Sequence, residues 1–165
     1  MQKNNRTIGF STGCFYKTHD LYKSIALVRD NGFDAIELNP FQTKELLWFS
    51  KEPVHEFLAG YRYVSMHAPK FNYDDNWETQ EIFKQIDAIH KKQPLDLVIF
   101  HPNTIKDFSV LKNLSFPIAF KNMDERETSG IYRIPEGMKK ILEEIPYAHM
   151  VLDAQHVYTN DPSML

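Results

Sequence analysis

The sequence predicts a parallel α/β fold, and three observations predict it. Short β-like runs alternate with helical patterns in the order βαβαβα. Several runs, Leu97-Val98-Ile99-Phe100 among them, are apolar throughout, as strands covered on both faces are. Polar residues close five different runs: Glu37, His67, His101, Lys121-Asn122 and Asp153.

Two architectures satisfy the alternation, an open doubly wound sheet and a (β/α)8 barrel. The runs start near positions 8, 35, 63, 96, 118 and 150, about 28 residues apart on average. An eight-unit barrel of about 250 residues has roughly 31 per unit. An open sheet gathers ligands in one crevice where strand order reverses. A barrel brings every strand end to one rim. Five polar strand ends fit the rim better, so the expected fold is a (β/α)8 TIM barrel. Six strands are counted, so the barrel is expected to be incomplete, a single domain over residues 1–165 without its last two units. The alternative is a small natural α/β domain.

The first run is Thr7-Ile8-Gly9-Phe10-Ser11. Leu21, Ile25 and Val28 follow at helical spacing, and Asn31-Gly32 ends that helix. The second run, Ala35–Leu38, closes at Asn39-Pro40; helical stretches follow around Leu46 to Phe49 and from Pro53 to Leu58. Tyr63–Met66 is the third run and ends at His67. A polar loop then leads to Ile82, Ile86 and Ile89, an i, i+4, i+7 stripe. The fourth run ends at His101-Pro102, and a helix through Phe108 and Leu111 is expected behind it. Pro117–Phe120 is the fifth run. Pro135 suits a first helical position, with Met138, Ile141, Leu142 and Ile145 as the buried face. The sixth run is Met150–Asp153, and Asn160-Asp161-Pro162 reads as a further helix start.

Composition narrows the function classes. The 165 residues are 42% hydrophobic and 25% charged, which excludes disordered, collagen-like and coiled-coil chains. No stretch approaches the roughly 20 apolar residues of a membrane span. Met1–Arg6 has no apolar segment behind its charges and is not a secretory signal. One cysteine, Cys14, excludes an internal disulfide and makes the cytoplasm the expected compartment; it reads as a small packing residue beside the site. A net charge of -3 makes nucleic acid a poor partner. Neither G-x-G-x-x-G, the P-loop nor G-x-S-x-G occurs.

The constellation that can carry chemistry is His67, His101, Asp153 and His156. Taken singly, each histidine is ordinarily a hydrogen-bonded structural residue. Together, at the ends of three strands, they offer imidazole nitrogen and carboxylate oxygen to one divalent cation. That donor set suits zinc, manganese or iron and suits calcium poorly. Glu37 is a candidate substrate contact. Lys121 or Arg126 would hold a phosphate, and Asn122 would orient a ligand hydroxyl.

Four motifs carry a resemblance. Ser65-Met66-His67-Ala68-Pro69, His101-Pro102-Asn103, Lys121-Asn122-Met123 and Leu152-Asp153-Ala154-Gln155-His156 are similar, in order and spacing, to those of the xylose-isomerase-like TIM-barrel superfamily. Asn31-Gly32-Phe33-Asp34-Ala35-Ile36-Glu37-Leu38 resembles its second unit. The superfamily holds sugar-phosphate isomerases and epimerases and the endonuclease-IV-type apurinic endonucleases. In the endonuclease branch the resemblance makes His67, His101, Asp153 and His156 metal ligands. In the isomerase branch it makes Asp153 a ligand beside a glutamate after the fifth strand, and puts His156 on substrate. The implied cofactor is a divalent metal (zinc, manganese or magnesium), and the implied partner a sugar or sugar phosphate.

One position departs from the family. Both branches carry Glu-Asn where this chain has Lys121-Asn122. Lysine cannot serve as an anionic ligand, but its ammonium can stand where the cation would, leaving a metal-free or altered site. Asp124 would compensate only if its loop turned inward. Lys121 and His156 are thus the catalytic candidates, with Glu37, Asn122 and His156 for substrate contact. Three functions follow as expectations: a metal-dependent sugar or sugar-phosphate isomerase or epimerase, an apurinic endonuclease, or a non-catalytic ligand-binding homologue. A six-strand sheet would also expose two edges and is expected to self-associate.

Overall fold

The computed structural model describes residues 7–51, 54–127 and 130–164. Met1–Arg6 and Pro53, both used above, lie outside the described residues. Six parallel strands form one sheet: β1 (Gly9–Ser11), β2 (Ala35–Leu38), β3 (Tyr63–His67), β4 (Leu97–Phe100), β5 (Ile118–Lys121) and β6 (His149–Val151). Between and after them lie α1 (Leu21–Asp30), α2 (Leu46–Lys51), α3 (Val54–Leu58), α4 (Trp77–Lys92), α5 (Pro135–Glu144) and α6 (Ala154–Asn160). Strand order is sequential from β1 to β6 and never reverses. A doubly wound sheet needs a reversal, so that alternative is set aside. β1 and β6 stand at the two edges.

The strand register explains the placement of the polar residues. Ser11 pairs with Glu37, Glu37 with Ser65, His67 with Ile99, and Lys121 with Val151. Side chains alternate faces along a strand. One face carries Ile36, Leu38, Val64, Met66, Val98, Phe100, Ile118 and Phe120, all in the buried core. Against them pack Ile25 and Val28 of α1, Ile82, Phe83, Ile86 and Ile89 of α4, and Met138 and Ile141 of α5. Each large apolar side chain buried there contributes roughly 1.5–3 kcal/mol. Tyr73 stacks on Phe83 at 5.6 Å and meets Phe100 edge-on at 5.3 Å, closing the core under β4. The opposite parity places Gly9, Ser11, Ala35, Glu37, Ser65, His67, Ile99, Ala119 and Lys121 on the other face.

Helix ends follow from local chemistry. The Asp20 carboxylate accepts the Lys23 N–H at the start of α1, and Asn76 accepts the Thr79 N–H at the start of α4. Gly32, at φ +79°, supplies the left-handed exit after α1. His90, Lys91 and Lys92 fill the last turn of α4, where cations are favoured.

Three elements differ from expectation. The helix through Phe108 and Leu111 is a single 3-10 turn, Phe108–Leu111. Asp107 caps it, and Asn113, at φ +70°, turns the chain away before a helix can propagate. The sixth run is shifted: β6 ends at Val151, and Asp153 is the N-cap of α6, accepting the His156 N–H. Asp-x-x-His is therefore also a helix start, which the sequence reading did not assign. Asn160 ends α6, and the capped turn Pro162–Met164 begins at Asp161 instead.

Candidate functional site

Most of the predicted residues come to one rim; Asn122, expected to orient a ligand hydroxyl, does not line it, because its amide is taken up by the Asp153 backbone. Glu37, His67, His101, Lys121 and His156 line a cleft of about 580 Å³ at the carboxyl ends of the strands. Asp153 joins through an ion pair, its Oδ2 lying 3.3 Å from Lys121 Nζ with both side chains mostly buried.

The two imidazoles meet directly. His67 Nδ1 lies 2.8 Å from the Ala68 carbonyl, which can only accept, so Nδ1 carries the proton. Its Nε2 is then a lone pair, and His101 Nε2–H donates to it across 3.0 Å with the rings perpendicular. Burial pushes the His101 pKa down to about 3, reinforced by His67, Lys121 and His156. Burial also lowers His67, against the Ala68 carbonyl and the Glu37 charge. Both rings are neutral at pH 7.

Asn122 holds Asp153 and His156 in place. Its Oδ1 accepts the Asp153 N–H at 2.6 Å and its Nδ2 donates to the Asp153 carbonyl at 3.1 Å. Both ends of this buried amide thus hold the Asp153 backbone. His156 Nδ1–H donates to the Asn122 carbonyl at 2.7 Å, and its Nε2 stands 3.7 Å from both Asp124 and Asp153 carboxylates. Burial acts to raise the Asp153 pKa. The His156 N–H and the charges of His156 and Lys121 outweigh it and hold the carboxyl below the ordinary value.

The structure meets the condition set for Asp124 and adds residues that the sequence does not place. The loop after β5 turns inward, so Asp124 is 5% exposed and lines the cleft. Its carboxylate accepts the Arg126 N–H at 3.0 Å and Arg126 Nε–H at 2.7 Å, and the Arg126 bonds hold its pKa down. Glu127 is buried in the same wall, and Lys70 and Asn39 complete the opposite one. An aspartate two residues before an arginine in a strand-following loop was the available signal, since Asp accepts from backbone two residues on. Cys14 is exposed on the turn Thr12–Phe15, so it is not a packing residue.

A divalent cation does not fit this donor set well. His67 and His101 approach each other as two ligands of one ion would. The third expected ligand, Asp153, is held by the Lys121 ammonium, and a cation there would face that charge; Asp124, whose loop does turn inward, is held in turn by the Arg126 guanidinium. Among the described residues, no group of three or more His, Cys, Asp or Glu side chains is arranged to hold a metal ion. The arrangement can bind polar groups: Lys121 donates, His101 and His156 offer ring nitrogens, and Glu37 accepts. None of the described helices is long and apolar enough to cross a membrane. In comparisons with known proteins, no family model matches the chain and no curated protein is similar to it.

Proposed function

We propose that the chain is a xylose-isomerase-like barrel protein whose rim cleft binds a sugar or sugar phosphate without a resident divalent cation. Of the three expected functions, the geometry favours the ligand-binding homologue. The observation that carries this reading is the half-buried Lys121–Asp153 pair at 3.3 Å, which puts an ammonium beside two neutral imidazoles. A metal-dependent isomerase uses its cation to polarise carbonyl and hydroxyl oxygens. Here the ammonium supplies a positive charge and up to three N–H donors to the same oxygens. An apurinic endonuclease needs a metal centre and a basic surface, and the net charge of -3 disfavours the second. Self-association through the β1 and β6 edges belongs to the same proposal.

The test is calorimetric titration of chelator-treated protein with a panel of pentoses, hexoses and their phosphates. Binding of at least one member in chelator is expected, weakened tenfold or more by Lys121→Ala. A panel with no binder, or one whose binding requires added metal, contradicts the proposal.

A further inference from the structure

A second cleft, about 310 Å³, opens on the far side of Asn39 and Phe41, which line both clefts. Its size lies at the small end of the range for small-molecule sites. Its walls come from the turn after β1 and the starts of α1 and α2. Tyr16, Phe41 and Trp48 present broad apolar surfaces there, at 58%, 43% and 59% exposure, and the Tyr16 and Phe41 rings lie 4.9 Å apart. Aromatic rings in contact with solvent around one concavity offer apolar faces at low conformational cost.

The polar groups of this cleft define the occupant. Asp20 and Glu45 line it, and no lysine or arginine does, so an anionic group is repelled. Neither carboxylate is idle. Asp20 caps Lys23 N–H and pairs with its ammonium at 3.4 Å, while Glu45 accepts the Phe41 N–H at 2.8 Å. Their remaining lone pairs can accept hydroxyls, whereas the charge available to a bound ammonium is already reduced. Asn39 stands between the clefts with its backbone N–H fixed to Thr12 Oγ1 at 2.9 Å. Its side-chain amide has no hydrogen-bond partner among the described residues. Gly13 gives that amide room, since a Cβ there would fall 2.7 Å from Asn39 Nδ2.

We infer that the aromatic cleft is a subsite for a second, uncharged sugar ring, belonging to a ligand whose first unit occupies the Lys121 cleft. Tyr16, Phe41 and Trp48 meet the ring's apolar face, Asp20 and Glu45 accept its hydroxyls, and the Asn39 amide bridges the two units. The inference rests on the sugar-binding reading above and adds the ligand's length.

The chain has two tryptophans, Trp48 and the exposed Trp77, so Trp77→Phe leaves Trp48 as the reporting indole. The full chain carrying that substitution is titrated with neutral hexoses and the disaccharides built from them. At least one disaccharide is expected to bind tenfold or more tighter than its component hexose and to shift Trp48 emission. Followed by calorimetry, Trp48→Ala should reduce the disaccharide to hexose affinity and leave the hexose unchanged. Gly13→Ala, which crowds the Asn39 amide, should act in the same direction. Hexose binding with no disaccharide gain overturns the subsite and spares the first cleft; a gain that survives Trp48→Ala does the same. Binding of neither class overturns the subsite, while the first cleft is then decided by its own titration with pentoses and sugar phosphates. An emission shift with choline or adenosine, but with no disaccharide, overturns the assigned occupant.

Discussion

His101 and, with it, His67 account for a pH dependence that the carboxylates of the rim do not share. The His101 pKa falls from an ordinary 6.5 to about 3 because the ring is buried beside His67 and Lys121. A depressed histidine pKa means that the unfolded chain takes up a proton the folded chain refuses. Its stabilising contribution is therefore complete above pH 6.5 and is lost as pH falls toward 3, by about 1.4 kcal/mol for each unit. His67 acts in the same direction. Asp124 and Asp153, whose pKa values are lowered, lose their contributions only below the ordinary carboxyl range, so the window from pH 6.5 to 4.5 isolates the imidazoles. Urea midpoints measured across that window should fall steeply for the native chain and less steeply for His101→Leu. Parallel slopes would contradict the account of this residue.

Particular elements divide what the sequence makes legible from what it does not. β4 and β5 are readable because continuous apolar runs followed by a polar residue have one good solution, a strand buried on both faces, and β2 and β3 because short β-like runs interrupted only by Glu37 and Ser65 recur at the same spacing. α1 and α4 are readable because stripe, cap and terminus agree. The Phe108–Leu111 segment misleads because two apolar residues three apart fit a 3-10 turn as well as a helix. Asp153 misleads in another way: Asp-x-x-His serves equally as a ligand pair and as a helix cap, and the capping bond to His156 N–H is a fact of the backbone. Asp124 is hidden from sequence because a loop's direction is set by its tertiary contacts. α5 offers an element-scale test. A Cβ on Gly137 would fall 1.6 Å from the Ile131 carbonyl oxygen, so the helix packs directly on the preceding turn. Gly137→Ala should force the two apart and destabilise the chain by about 1–3 kcal/mol in chemical denaturation. An unchanged midpoint would mean that this packing is not tight.

At the scale of the whole molecule, the six-strand sheet has two edges, and apolar side chains accompany both. Ile8 just before β1 and Phe10 within it are 61% and 41% exposed, and Met150 within β6 and Leu152 just after it are 44% and 68% exposed. Unpaired edges with apolar flanks template contacts between copies. Sedimentation over a hundredfold concentration range should show reversible association, reduced by Leu152→Lys; one monomeric boundary throughout would contradict it. The same sheet delivers Glu37, His67, His101, Lys121 and His156 to a common rim, and the account depends most on what Lys121 does there. The sugar titration tests this most directly when repeated with and without saturating Mn²⁺ on the native chain and on Lys121→Glu. The native chain should bind its sugar equally well in both conditions. Lys121→Glu, which gives the rim a carboxylate and frees Asp153, should bind the sugar only with Mn²⁺ present. A native chain that loses its sugar when Mn²⁺ is withdrawn would contradict the account.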